Sequence, residues 1–282
     1  MTSLHYTPGT ALPQHTLIAH NDAAASANKI HDDTVAQQYG FRGGLVPGVS
    51  VYAYMTYPLV QSFGIDWLTR GKAQVRFSKP IYEGDRVTVG ATVTTAADDQ
   101  IDLDISGSNA EGLACGLGTA QLPAAEQCPP ESTCVPAGAE SAAPVPVSWD
   151  AVVVGQPLSV RRLQISQTEN EEYCRLHADD LTIYRGPQGL VHPGILLRQC
   201  NRALSEHFIL GPWIHVGSEI TTYRPCQIGA SLEIRAVPID KFEKKGHAFT
   251  VLDVLLLVEG AVAQRVQHTC IFRPRQSRRA DN

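Results

Sequence analysis

The chain has 282 residues and a net charge of −5 from 23 basic and 28 acidic side chains. That balance speaks against a general nucleic-acid or membrane-surface binder, whose contact face needs an excess of Lys and Arg. A hydrophobic fraction of 43% with 18% charged residues is ordinary for a globular protein and suffices for one large core or two moderate ones. Seven cysteines, an odd number without framework spacing, point to reduced thiols and a cytoplasmic setting rather than a disulfide scaffold. No charged-then-apolar leader pattern is seen, and no apolar run approaches the length of a membrane span.

Residues 1–25, with Pro8 and Pro13, read as an irregular lead-in containing one short strand near Thr16–Ala19. Then comes Asn28-Lys29-Ile30-His31-Asp32-Asp33, which concentrates an amide, an imidazole and two carboxylates. Asp33 to Tyr39 can form a short helix ended by Gly40, with Asp33 as its expected N-cap. Phe41-Arg42-Gly43-Gly44 leads into Leu45-Val46-Pro47-Gly48 and an apolar run to Val60. Proline suits the first turn of a helix, where its missing N–H would have no partner anyway. The run is apolar nearly all round, so the helix should be buried, and Pro58 should kink it or start a second segment. A polar cluster feeding the start of a buried helix suggests a site. The unpaired N–H groups there can hold an oxyanion or a polarised carbonyl oxygen.

After Trp67, Ala73–Phe77 alternates as a strand that stops at Pro80 and the turn Tyr82–Asp85. Val87, Val89, Ala91 and Val93 alternate with Thr88, Thr92 and Thr94, a strand with one buried face. Ala96–Gln100 reads as a hairpin, followed by alternating Ile101, Leu103 and Ile105 and a last strand at Leu113–Leu122. Pro123–Pro146 is rich in Pro, Ala, Ser and Glu without periodic apolar residues and reads as an extended, exposed linker. The second half then repeats the first. Gly189–Gly194 answers Gly44–Gly48, Trp213 answers Trp67, and Pro225–Gly229 answers Pro80–Gly84, each offset by about 145 residues. Ser231–Val237, Phe249–Val258 and Ala263–Phe272 supply matching strands. We therefore place one unit at residues 1–122, a linker at 123–147 and a second unit at 148–282. Two such sheets can join edge to edge and hide an open edge of each. The basic stretch Arg273–Arg279 reads as a solvated end.

The segment from Asn28 to Gly48 resembles the motif of the MaoC-like (R)-specific enoyl-CoA hydratases and acyl dehydratases, which have the hotdog fold. Their pattern runs Asp-x-Asn-Pro-x-His, a short helix, Gly-Phe, and an apolar His-Gly before the central helix. Asn28 and His31 stand at the Asn and His positions, Gly40-Phe41 at Gly-Phe, and Pro47-Gly48 at His-Gly. Ser26 occupies the position of the catalytic Asp, Lys29 that of Pro, and Gly40-Phe41 falls about one residue early. The resemblance and the repeat together imply an α+β fold, a tandem double hotdog in which each antiparallel sheet wraps a central helix. They leave a further homodimer open.

The resemblance also implies a hydro-lyase, a hydratase or dehydratase acting on an enoyl or 3-hydroxyacyl thioester of coenzyme A or of an acyl-carrier protein. Coenzyme A would then be part of the substrate, and no bound cofactor is expected. His31 is the candidate general base or acid, since an ordinary pKa of about 6.5 suits proton transfer near neutrality. Asp32 or Asp33 could orient it or grip the nucleophilic water, and Asn28 could donate to the thioester carbonyl. Pro47, Gly48 and Val49 would present the N–H groups of the central helix to the carbonyl oxygen, and Arg42 could meet a phosphate of coenzyme A. In the second copy Tyr184 maps to the place of His31, while His192 and Gly194 open the repeated helix; all three are candidates for contact with the acyl group. Plainer roles stay open for each: loop ordering for His31 and Asn28, capping for Asp33, solvation for Arg42, packing for His192. No zinc spacing and no Gly-x-Ser-x-Gly elbow occurs. Two other readings remain, a hotdog thioesterase in which Asp32 or Asp33 activates water, and a non-catalytic binder of acyl thioesters or hydrophobic ligands.

Overall fold

Alternating apolar residues build the strands of the first half as expected. In the computed structural model, which describes residues 6–140 and 143–275, these are β1 (His15–Ile18), β2 (Lys72–Phe77), β3 (Arg86–Ala97), β4 (Gln100–Ser108) and β5 (Ala114–Leu122). They lie in the order β1-β3-β4-β5-β2, all antiparallel. Asp98 and Asp99 close the β3–β4 hairpin at positive φ (51° and 61°), the primed-turn geometry whose twist matches the flanking strands. Positions 276–279 of the basic stretch lie outside the described residues.

Three helices separate β1 from β2: α1 (Asp33–Gln38), α2 (Gly48–Phe63) and α3 (Ile65–Arg70). Every residue of α2 from Val49 to Val60 is buried, which is what its all-round apolar sequence demands. Pro58 starts no second segment, and α2 runs unbroken through it. Burial of the whole rod outweighs the single ladder bond that proline removes, and Gly64, at φ 55°, ends the helix instead.

The segment after β5 is mostly exposed, with little regular structure, but it is anchored to the second half. It crosses the outer face of the second half, where Val135 is fully buried against Val237, Leu255, Leu257 and Val262. It then forms β6 (Val145–Pro146). The rest of the chain gives β7 (Arg161–Leu163), α4 (Gln167–Leu176), α5 (Pro193–His207), β8 (Phe208–Ile209), β9 (Ile214–Thr222), β10 (Leu232–Lys244), β11 (His247–Val258) and β12 (Ala261–Arg273). β6 pairs with β8 in parallel, so the crossing segment is held at both points. The α4 helix was not foreseen. Only Asn170, Tyr173 and Cys174 of it are buried, too few to show a periodic apolar signal.

The strand order β9-β12-β11-β10-β7 mirrors that of the first half. β2 and β9 pair antiparallel, making one ten-stranded sheet and closing one edge of each half. At the centre of this join Gln74 faces Glu219, its own counterpart in the repeat, and its Nε2 donates to Glu219 Oε1 at 2.9 Å. The bridges Leu45–Tyr82 and Leu190–Gln227 repeat at the same offset. The tryptophans do not: Trp67 lies in α3, whereas Trp213 sits in the turn ahead of β9. The central helices α2 and α5 pack on each other, and one apolar core runs through both halves.

Val135→Ala should lower the unfolding free energy by about 2 kcal/mol. It should also speed proteolytic cleavage within residues 123–147. A denaturant titration with unchanged midpoint would show that this residue does not pin the crossing segment.

Candidate active site

The turn that carries His31 is set by its neighbours on both sides. Lys29–His31 is one 3₁₀ turn, capped by Asn28, whose Oδ1 accepts from the N–H of Ile30 at 3.3 Å. The same amide reaches the other half of the chain. Its Nδ2 donates to the Trp213 carbonyl at 2.9 Å, and its Oδ1 accepts from the Trp213 N–H at 3.1 Å. Gly44 packs directly beneath: a Cβ there would lie 2.1 Å from the carbonyl oxygen of His31, so only glycine fits.

His31 Nδ1 stands 2.6 Å from the carbonyl oxygen of Leu45. That oxygen can only accept, so Nδ1 carries the hydrogen and Nε2 the lone pair. Nε2 in turn accepts from Asn28 Nδ2 at 3.3 Å. Burial lowers the His31 pKa below its ordinary value, opposed by the Leu45 carbonyl and by the charge of Asp22. The ring is therefore neutral near pH 7, the form that can take a proton.

Two cavities meet at this ring. One, of about 340 Å³, is the more polar of the two: its walls are largely apolar but include Asp22, Ser26, Arg198, Arg202 and Ser205. The other, of about 260 Å³, is mainly apolar and includes Phe41, Gly48, Val51, Phe77, Ile81 and His215. Asn28, His31, Pro47, Asn201 and Trp213 line both. Val49 lines the first. The N-terminus of α2 thus opens here, and among the described residues the N–H groups of Gly48 and Val49 meet no acceptor. A Cβ on Gly48 would lie 2.8 Å from the Phe77 ring and 2.9 Å from His215 Nδ1, so bare backbone forms the wall. A wider groove of about 590 Å³ on the outer face of the first half's sheet has no histidine or cysteine beside it.

The two carboxylates next to His31 are used elsewhere. Asp32, not Asp33, caps α1, accepting from the Val35 N–H at 3.0 Å. Asp33 Oδ1 accepts from the Gly44 N–H at 2.7 Å and ties down the glycine loop. Neither lines a cavity, and among the described residues no carboxylate hydrogen-bonds to the His31 ring. Two carboxylates do share the more polar cavity: Glu206, which pairs with Arg161, and Asp22, neither of them singled out in the sequence. Asp22 is the one joined to both central helices. It accepts from Ser50 Oγ at 3.1 Å, pairs with Arg198, and is buried. Arg42 is also displaced from the expected role: it is exposed, pairs with Asp85 at 2.6 Å, and lies over the Tyr82 ring. The chain turns outward after Phe41, so Arg42 and Gly43 line neither cavity.

In the second half the corresponding residues are core. Tyr184 ends the 3₁₀ turn Thr182–Tyr184, as His31 ends its own, but its buried hydroxyl has no partner among the described residues and burial pushes its pKa well up. Its ring packs on His192 with centroids 4.7 Å apart. His192 caps α5: Nδ1 accepts from the Gly194 N–H at 3.0 Å, and Nε2 donates to Asp179 Oδ2 at 3.1 Å. A Cβ on Gly194 would lie 2.3 Å from the Tyr173 hydroxyl, so α4 fills the space that stays open in front of α2. Tyr184, His192 and Gly194 therefore line neither cavity, contrary to expectation. What the second half contributes instead is a face of α5. Arg198, Asn201, Arg202 and Ser205, at helical spacing, all line the polar cavity. That polar stripe on an otherwise apolar helix was a signal the sequence held.

Among the described residues no group of three or more His, Cys, Asp or Glu side chains is placed to hold a metal ion. Nor is any helix there long and apolar enough to cross a membrane.

Buried imidazoles predict a direction of acid sensitivity. Burial lowers the pKa of His177 from 6.5 to about 4 and of His215 to about 3, and that of His268 well below its ordinary value. Once unfolded, each binds a proton near 6.5, so below that pH the unfolded state holds more protons than the native one. Their contribution is complete above pH 6.5 and is lost progressively as the pH falls toward 4. A thermal-melt series from neutral pH downward should show Tm falling through this window; a flat profile would contradict it.

No protein-family model matches the sequence, and no curated protein does. Solved structures do match its fold. A MaoC domain protein of Chloroflexus aurantiacus J-10-fl, assigned as a dehydratase, is 14% identical over 96% of both chains with a TM-score of 0.68. A conserved hypothetical protein of Mycobacterium tuberculosis, described as having a double hotdog fold, is 15% identical over 94% of this chain and 96% of its own, with a TM-score of 0.65. A Lactobacillus plantarum protein assigned as an oleoyl thioesterase is 10% identical over 95% and 98% of the two chains, with a TM-score of 0.52. Dehydratases and thioesterases thus share the scaffold, and the fold of this chain is the double hotdog.

Proposed function

We propose that this chain is a MaoC-like hydro-lyase that adds or removes water at the double bond of an acyl thioester. The supporting observation is the neutral ring of His31, at the meeting point of two cavities and beside the unpaired amides of Gly48 and Val49. In the hydration direction water displaces the long contact from Asn28 Nδ2 at Nε2 of His31, and Nε2 takes a proton from that water as the water oxygen bonds to the β-carbon. The π electrons move to the thioester oxygen, where the α2 amides stabilise the enolate. Return of a proton from the imidazolium to the α-carbon completes the addition and restores the base. The charge of Asp22, which pairs with Arg198 and accepts from Ser50, favours the transient imidazolium.

The polar cavity suits the pantetheine arm and phosphates of coenzyme A or an acyl carrier, and the apolar one suits the acyl chain. Arg202, for which no ion pair is found among the described residues, supplies a cation at the polar end. A thioesterase is the second reading, favoured by the lack of a carboxylate on the His31 ring and by the thioesterase of the same fold. There His31 would direct water to the carbonyl carbon.

A panel of enoyl-CoA thioesters separates the readings. Loss of the enoyl absorbance without free thiol supports hydration, thiol release supports hydrolysis, and binding without either leaves a ligand binder. His31→Ala should lower kcat by about 10²–10⁴-fold, and unchanged turnover would remove His31 from the mechanism. Arg202→Ala should raise KM for a coenzyme A thioester by about tenfold with little change in kcat. Arg42→Ala should change neither by more than about twofold, as befits a surface substitution. The reverse pattern for the two arginines would move the phosphate site.

A further inference from the structure

A chain of buried polar side chains runs behind the cavity wall, from β9 through β12 to α5. His215 Nε2 lies 3.2 Å from the Gly217 carbonyl oxygen and 2.9 Å from Ser218 Oγ. Ser218 Oγ lies 2.9 Å from His268 Nδ1, and His268 Nε2 lies 2.8 Å from Asn201 Oδ1. His215, Ser218 and His268 are all buried.

Chemistry places every hydrogen in this relay. The Gly217 carbonyl only accepts, so His215 Nε2 must carry a hydrogen. Ser218 cannot donate to a nitrogen that already holds one, so its hydroxyl donates to His268 Nδ1. His268 then has its own hydrogen on Nε2, and the atom of Asn201 that faces it must be the acceptor, Oδ1. Burial holds both imidazoles in the neutral form, so no second proton disturbs the sequence. The consequence is an oriented amide. Asn201 turns its oxygen inward to His268, and its Nδ2 has no acceptor among the described residues. This residue lines both cavities, as His31 does.

We infer that Asn201 is a ligand-contacting residue whose amide N–H donates to a carbonyl oxygen of the bound thioester at the junction of the cavities. Ser218 and His268 are positioning residues that aim it, and His215 anchors the far end of the relay beside Gly48. The identity of the ligand rests on the thioester reading above; the orientation of the amide does not.

Asn201→Asp tests the donor, since it keeps the oxygen facing His268 and replaces the N–H₂ group with a second oxygen. Calorimetry with saturated butyryl-CoA, which carries no double bond, should show binding weakened by about tenfold or more with an unchanged Tm. Ser218→Ala should weaken binding in the same direction. Imidazole ¹⁵N shifts should report hydrogen on Nε2 of His268 in the unaltered protein and a loss of that preference in Ser218→Ala. Unaltered protein that binds butyryl-CoA while Asn201→Asp binds it equally well overturns the role of Asn201 alone. Unaltered protein that binds neither butyryl-CoA nor crotonyl-CoA overturns the thioester reading, and the ligand assignment with it. Hydrogen on His268 Nδ1 in the unaltered protein overturns the oriented relay whatever the ligand.

Discussion

The amide of Asn28 binds both backbone polar groups of Trp213, and the geometry of the site depends on that double bond across the molecule. One side chain satisfies a buried N–H and a buried C=O in the other half, caps its own 3₁₀ turn, and donates to Nε2 of His31. Leaving such groups unpaired would cost roughly 1–3 kcal/mol each, so the turn and the start of β9 are held together. The position of the His31 ring follows from this bridge below and from the Leu45 carbonyl above. Gly44 is the remaining constraint, because the turn and the glycine loop approach too closely for any side chain.

Duplication made two helices with equivalent N-termini, and the two were put to opposite uses. In front of α2 the space is open, and an imidazole whose Nε2 lone pair meets the Asn28 amide stands beside it. In front of α5 the space is packed by Tyr173, capped by His192 and backed by Tyr184, whose hydroxyl is buried without a partner among the described residues. The second half works on the first half's site through its flank. The stripe Arg198, Asn201, Arg202 and Ser205 and the start of β9 form walls that the first half lacks. Neither copy alone encloses both cavities, so the β2–β9 join shapes the cavities as well as closing the sheet edges.

How much was legible in the sequence depended on the range of the interaction. Strands β2, β3 and β4 are announced by period-two alternation, and α2 by an apolar run after Pro-Gly, because these signals act between near neighbours. The internal repeat was legible for the same reason, since each copy carries the same local turns and strand starts. Where near neighbours competed, the reading slipped: adjacent Asp32 and Asp33 are both plausible caps, and only the direction of the chain entering α1 decides for Asp32. Pro58 failed as a breaker because burial on all sides outweighed one missing bond.

By itself, then, the sequence determined the double scaffold, the buried central helix and the imidazole at its mouth, all of which follow from patterns within a few residues or from repetition. Only the tertiary structure decided that Asp22, rather than Asp32 or Asp33, shares a cavity with His31, that Arg42 points away, and that the second copy's Tyr184, His192 and Gly194 are core. It also brought Trp213 to Asn28 across 185 positions, and Asn201, Ser218 and His268 into one relay. The physical reason is that such contacts join side chains far apart along the chain. Their partners are chosen by how two whole sheets and two helices pack, and no local pattern carries that information.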